Sequence, residues 1–208
     1  MKTASEISCL FTDIGGVLLT NGWDHHARRR AAAHFNLDWP EMQERHSLVF
    51  EIHEEGKLTF EEYLNLVVFF EKRPFTRAQF RRFMCGQSKP FPAMIELLRQ
   101  LKAKFALKIV VVSNESRELN TYRIRTFRLG SFVDTFISSC FVGLRKPDTN
   151  IFRLALDIAQ APPARVVYIE NTPMFASLAE AMGIRSVLHR DYESTCAQLA
   201  ALGLQIDK

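Results

Sequence analysis

Asp13 stands at the end of a mostly apolar run, ISCLFT over residues 7–12, and is followed by Ile14 and the pair Gly15-Gly16. An acid at the end of a buried strand, just before a turn, is well placed to act as a nucleophile. Enzymes that use an aspartate this way often carry a second carboxylate two residues later, and here that residue is Gly15. Three other stretches carry polar residues in comparable places: Ser113-Asn114 after KIVVV, Glu170-Asn171 after RVVYI, and Lys146 inside GLRKPDTNIF. Together these positions supply a carboxylate, a cationic side chain, a hydroxyl and a second acid.

For them to meet, the apolar runs must be strands of one sheet with their carboxyl ends along one edge, where open parallel sheets bind ligands. Runs of this kind occur at 7–12, 108–112, 134–139, 165–169 and 184–188. Between them the spacing turns helical, with Met94, Leu97, Leu98, Leu101 and Phe105 on one stripe and Ile151, Leu154, Ala155 and Ile158 on another. Phe175, Leu178, Ala179 and Met182 repeat the pattern, and Gly183 stops it. Strands alternating with helices predict an α/β fold, a doubly wound Rossmann-like parallel sheet.

One long stretch breaks the alternation. Between the first strand and residue 90 there is no strand pattern, but Phe60, Tyr63, Leu64, Val67 and Val68 form an apolar helical stripe. Thr59 with Glu62 three residues on makes a capping box, and Asp24, Asp38 with Pro40, and Thr76 mark three further helix starts. Four helices inserted after the first strand predict a helical cap domain over 19–89, set into an α/β core domain of 1–18 and 90–208. Lys89-Pro90-Phe91-Pro92 reads as the linker back to the core. The segments Leu19–Trp23 and Ser88–Phe91 are the expected hinges of a cap that opens to admit substrate.

Composition narrows the classes. Hydrophobic residues are 47% and charged residues 24%, which excludes a disordered chain. The formal charge of +4 and pI near 9.0 admit an acidic ligand such as phosphate, but the scattered charges give no nucleic-acid footprint. Arg28, Arg29 and Arg30, and likewise Arg77, Arg81 and Arg82, read as solvated helix faces. Cys9, Cys85, Cys140 and Cys196 follow no metal-ligand spacing and read as reduced thiols. The start, MKTASEISCLF, is too polar for a signal peptide, and no stretch approaches the roughly 18 apolar residues of a membrane span. The sequence therefore reads as a cytoplasmic protein without a membrane partner.

The four motifs, in this order and at these spacings, resemble the haloacid dehalogenase superfamily, with GLRKPDTNIF the most specific piece and VVVSNES in support. Most members are phosphatases that work through an aspartyl-phosphate and Mg²⁺, and the inserted helices resemble the first type of cap in that superfamily. The resemblance implies catalytic roles for Asp13 as nucleophile and Lys146 as the neutralising cation. It implies phosphate binding by Ser113, Asn114 and the turn N–H at Gly16. It also implies a Mg²⁺ site from Asp13, the backbone carbonyl of Gly15, Glu170 and Asn171, since Mg²⁺ takes hard oxygen donors.

Two positions depart from the family pattern. Gly15 removes the carboxyl that protonates the leaving group and activates water, help worth roughly 10²- to 10⁴-fold. Asn171 puts a neutral amide where the family shows a second acid. His25, His26 and Asp24 are the nearest cap residues in sequence that can replace the missing acid, and Trp23 lies near enough to line the pocket. The expected function is a Mg²⁺-dependent phosphatase of a small phosphorylated metabolite, a sugar phosphate being one candidate, weakened or specialised by Gly15. Two alternatives stand beside it: a non-catalytic relative that binds a phosphorylated ligand or a protein, and a metal-free 2-haloacid dehalogenase.

Overall fold

In a computed structural model, which describes residues 6–206, the strands assemble into one five-stranded sheet with every neighbouring pair parallel. The strands are β1 (Cys9–Thr12), β2 (Lys108–Ser113), β3 (Thr135–Ser138), β4 (Val166–Glu170) and β5 (Arg185–Leu188), in spatial order β3-β2-β1-β4-β5. The first five residues, part of the segment read as too polar for a signal peptide, and the last two lie outside the described residues. Among the described residues no helix is long and apolar enough to cross a membrane.

The order follows from burial. β1 and β4 are buried along their whole length and β2 over all but its first residue, as expected of inner strands of a sheet covered on both faces. One face packs against α5 (Pro92–Phe105), with Met94, Leu97, Leu98 and Leu101 meeting Leu10, Ile109, Val111 and Val167. The other face meets α8 (Asn150–Ala159) through Ile151, Phe152 and Ala155, which pack against Phe11, Val110, Val112 and Tyr168. The helices α6 (Arg117–Thr126), α7 (Ser139–Val142), α9 (Pro173–Ala181) and α10 (Tyr192–Ala201) complete the crossovers. Because β1 is central and flanked by β2 and β4, the register sets Thr12 beside Val111 and Ile169. The residues that follow, Asp13, Asn114 and Glu170, then emerge at one edge of the sheet.

Between β1 and residue 90 stand α1 (His25–Phe35), α2 (Trp39–Glu54), α3 (Phe60–Val67) and α4 (Arg77–Gly86). Each begins where a side chain accepts a bond from an otherwise unsatisfied helix N–H: Asp24 from Ala27, Asp38 from Glu41, Thr59 from Glu62 and Thr76 from Gln79. Both threonine caps are full capping boxes. Phe60, Tyr63, Leu64, Val67, Phe80 and Met84 give these helices a hydrophobic core of their own, touched by Leu119 of α6. The two crossing segments run side by side. Leu19 pairs with Pro90, the Thr20 N–H donates to the Lys89 carbonyl at 2.8 Å, and the Thr20 hydroxyl donates to the Gln87 carbonyl at 2.9 Å.

One arginine departs from expectation. Arg29 and Arg30 are exposed, but Arg28 is buried, donating through one terminal nitrogen to the Trp23 carbonyl at 2.6 Å and through Nε to Gln43 at 3.1 Å. Helical spacing turns Arg28 inward with Ala31 and Ala32, so the solvated-face reading fails at this position.

The helical unit docks on the sheet domain next to the strand edge. The Ser139 hydroxyl donates to the Glu54 carbonyl at 2.6 Å, and Arg145 pairs with both Glu51 and Glu54 at 3.0 Å. Gly56, at φ +72°, lies so close to the Cys140 carbonyl that an added Cβ would sit 2.3 Å from its oxygen. Gly56→Ala is therefore expected to cost about 2 kcal/mol or more, seen as a lower urea midpoint with an unchanged slope.

Candidate active site

Asp13, Lys146 and Glu170 come together at the centre of the strand edge. The Lys146 ammonium, fully buried, donates to Asp13 Oδ2 at 3.1 Å, Glu170 Oε2 at 2.7 Å and the Tyr168 hydroxyl at 2.9 Å. Those three partners match the three protons of an ammonium. Tyr168 in turn donates to Glu170 Oε2, and the Thr172 N–H donates to Glu170 Oε1 at 2.9 Å. The Ile14 N–H donates to Asp13 Oδ1 at 2.7 Å.

One ammonium facing two carboxylates leaves one excess negative charge in a buried place, and the neighbouring groups hold their protons accordingly. Burial alone would push the Lys146 pKa down, but the charges of Asp13 and Glu170 and the bonds to them raise it above the ordinary lysine value. Burial raises Glu170, Asp13 adds to that, and Lys146 opposes it. Burial also lifts Tyr168 well above the ordinary tyrosine value, with the charges of Glu170 and Asp13 adding.

The lysine is held from behind by Asn114. Its amide accepts from the Lys146 N–H and donates to the Lys146 carbonyl, both at 2.8 Å. These bonds use the Asn114 amide oxygen and one of its two N–H protons. Gly16, whose N–H is expected to hold phosphate, donates it instead to the Leu19 carbonyl at 2.7 Å. Its need for glycine is steric, since at φ +72° a Cβ would lie 2.2 Å from the Asn171 amide. Ser113 ends β2, buried, and the helix that follows begins after Ser116.

The oxygen set beside Asp13 bears on the Mg²⁺ expectation. One terminal atom of the Asn171 amide lies 3.0 Å from Glu170 Oε1 and 3.0 Å from the Gly15 carbonyl oxygen. With nitrogen in that place, Asn171 donates to both oxygens. That setting satisfies the amide, and Asp13, the Gly15 carbonyl and Glu170 remain the hard oxygen donors of the kind Mg²⁺ takes, the Asn171 side-chain oxygen joining them where the amide turns and gives up those bonds. It is a lean site. Among the described residues no cluster of three or more His, Cys, Asp or Glu side chains is poised for a metal.

Of these groups Asp13, Gly15, Asn114 and Asn171 line a cavity of about 370 Å³ between the sheet edge and the helical unit, and Lys146, Tyr168 and Glu170 lie buried behind them. The sheet side contributes Asp13, Gly15, Asn114, Glu115, Asn171 and Thr172. The helical side contributes Trp23, Arg28, Gln43, His46, His53 and Glu54. The Tyr63 hydroxyl ties that wall together: it accepts from Trp23 Nε1 at 2.8 Å and lies 2.9 Å from His46 Nδ1. Burial, with the charges of Arg28 and His53 adding, pushes the His46 pKa down to about 3, so its imidazole is neutral.

Trp23 lines the cavity as expected. Of the acid replacements read from sequence, His25 and His26 are exposed and do not line it, whereas Asp24 does, one of its carboxylate oxygens capping α1. The sequence reading missed Glu115, Arg123, Arg28, His46 and Tyr168. Glu115 stood in VVVSNES, two residues past Ser113, and Tyr168 in RVVYI, two residues before Glu170, where a place at a strand end was the available signal.

A parallel sheet with a carboxylate, a buried lysine and a further acid at its carboxyl edge, roofed by helices inserted after β1, defines a doubly wound α/β protein. The family model for haloacid dehalogenase-like hydrolases matches residues 7–183, and the chain belongs to that family. The bifunctional epoxide hydrolase 2 of Sus scrofa is 32% identical over 74 residues, 35% of this chain and 13% of that protein. Acyl-CoA dehydrogenase family member 10 of Mus musculus is 26% identical over 115 residues, 55% of this chain and 11% of that protein. The matches thus span only about an eighth of the length of these curated relatives. Among solved structures, an HAD family enzyme from Bacteroides thetaiotaomicron, in complex with magnesium and inorganic phosphate, superposes with a TM-score of 0.74 at 18% identity, covering 88% of this chain and 94% of that one. An L-2-haloacid dehalogenase superposes with a TM-score of 0.62 at 16% identity, covering 88% and 84%.

Two substitutions probe this geometry. Lys146→Met leaves two buried carboxylates facing each other and should cost about 3–5 kcal/mol at neutral pH. The deficit should shrink as pH falls and one carboxylate takes a proton, whereas the wild type should lose stability as pH rises through and beyond the ordinary lysine value of 10.5, because its folded-state pKa is raised. Asn171→Asp removes the competing amide donor and adds a charge, so Mg²⁺ affinity measured by calorimetry should rise at least about tenfold, or 1.4 kcal/mol.

Proposed function

We propose that this chain is a Mg²⁺-dependent phosphatase of a small phosphorylated metabolite, with Asp13 as the nucleophile. The observation that carries the reading is the single Lys146 ammonium shared by Asp13 and Glu170 beside the Gly15 carbonyl oxygen, with the Asn171 amide 3.0 Å from both Glu170 and Gly15. Unaided, that set is net negative and repels a phosphoryl dianion. Mg²⁺, held by Asp13, the Gly15 carbonyl, Glu170 and Asn171, would neutralise phosphoryl charge there.

The chain's own groups do the rest. The Asp13 carboxylate attacks phosphorus as the bond to the leaving oxygen breaks, giving an aspartyl-phosphate. Lys146 holds Asp13 in place and offsets charge as it develops. Water then attacks the phosphorus, inorganic phosphate departs, and the electron pair of the Asp13–phosphorus bond returns to the carboxylate. The cavity volume suits a metabolite-sized ligand, and Arg28 on the opposite wall offers a second anionic group a partner. The magnesium and phosphate bound by the Bacteroides enzyme of the same fold support the reading.

A second reading, metal-free displacement of halide from a 2-haloacid, is favoured by one observation: with its nitrogen inward, Asn171 satisfies Glu170 and Gly15 without any cation.

The deciding assay measures phosphate release from a panel of phosphorylated metabolites, with and without Mg²⁺, and halide release from 2-haloacids in chelator. The phosphatase reading expects phosphate release that needs Mg²⁺ and falls at least about 10³-fold in Asp13→Asn. Halide release in chelator would establish the second reading, and neither product would leave a ligand-binding relative without catalysis.

A further inference from the structure

Gly15 leaves the site without a proton carrier two residues after the nucleophile, and the structure places another carboxylate in the same region. A Cβ built on Gly15 would point toward Asn21 Oδ1 at 3.3 Å and the Arg123 terminal nitrogen Nη1 at 3.9 Å. That nitrogen is already engaged: Arg123, buried in α6, pairs with Glu115 Oε1, and its other terminal nitrogen donates to the Thr20 carbonyl. The guanidinium that a side chain at position 15 would approach therefore presents Glu115, which reaches the cavity from the end of β2 instead of from β1.

We propose that Glu115 is the general acid and base of this site, standing in for the carboxyl absent at Gly15. The inference rests on the phosphatase reading. Glu115 lines the same cavity as Asp13, its backbone N–H is fixed by the Ser139 hydroxyl at 2.9 Å, and Arg123 fixes one carboxyl oxygen. Aspartate at residue 15 would be held by one short side chain, whereas Glu115 is held by two neighbouring elements.

The groups around it tune it. Burial raises the Glu115 pKa to about 7, the charges of Asp13 on β1 and Glu54 on α2 add, and Arg123 on α6 opposes. Cys140 on α7 also feels its charge. A carboxyl that titrates near neutrality can give and take a proton within one cycle. In the first step its proton passes to the leaving oxygen, which keeps the electron pair of the broken phosphorus–oxygen bond. In the second step the carboxylate takes a proton from the water that attacks phosphorus, while the Asp13 oxygen leaves with its bonding pair. The alcohol and phosphate are released, and both carboxyls return to their starting states.

The test compares p-nitrophenyl phosphate, whose leaving group needs no proton, with a simple alkyl phosphate. In Glu115→Gln, alkyl turnover should fall about 10²- to 10⁴-fold, while the first-turnover burst of nitrophenolate falls less than about tenfold. The alkaline limb of the wild-type alkyl rate, near pH 7, should vanish in the variant. Equal losses on both probes, as misfolding or simple mispositioning would give, overturn the inference, as does a wild type that cleaves only the aryl ester. No Asp13-dependent turnover of either probe overturns the phosphatase reading together with it.

Discussion

The Lys146 ammonium is the group on which the site is built. Asp13 follows β1, Glu170 and Tyr168 end β4, and Lys146 stands on the loop between α7 and α8, so three segments distant in sequence meet at one buried cation. Burying two carboxylates side by side is unfavourable unless a cation is shared between them. The strand register that places β1 between β2 and β4 makes the sharing possible, and Asn114 at the end of β2 clasps the lysine's backbone from the other side. Sheet order and site geometry are two views of the same constraint.

The helical unit completes the site by walling it. Its docking contacts run through the loop that carries Lys146, because Arg145, one residue earlier, pairs with Glu51 and Glu54 of α2. The wall has its own rigid layer: the Tyr63 hydroxyl between Trp23 and His46, with the His53 ring stacked on Tyr63 at 4.3 Å. Beside that network Arg28, Gln43, Glu54 and a neutral His46 line the cavity with Trp23. A ligand held between Asp13 and this wall meets a buried guanidinium there together with the Glu54 side chain.

Much of this was legible in the chain. The apolar runs marked all five strands to within a residue or two, because fully buried parallel strands must be continuously apolar. The helix starts at Asp24, Asp38, Thr59 and Thr76 were legible because a cap bond is local, made within three residues of the capping side chain. Asp13, Lys146 and Glu170 stood out because each lay where an apolar run or a distinctive motif ended. Arg28 was misread because three adjacent arginines carry no label for which one turns inward; that depends on what α1 packs against.

The chain by itself determined the strands, the inserted helices, the nucleophile position and the two departures at Gly15 and Asn171, since each rests on residue type and near-neighbour spacing. Only the tertiary structure decided that the Asn114 amide clasps Lys146, that the Asn171 amide reaches the Gly15 carbonyl and that the Arg123–Glu115 pair lies beside Gly15. The physical reason is that these contacts join residues far apart in the sequence, so they depend on strand order and helix packing, and local spacing carries no record of them.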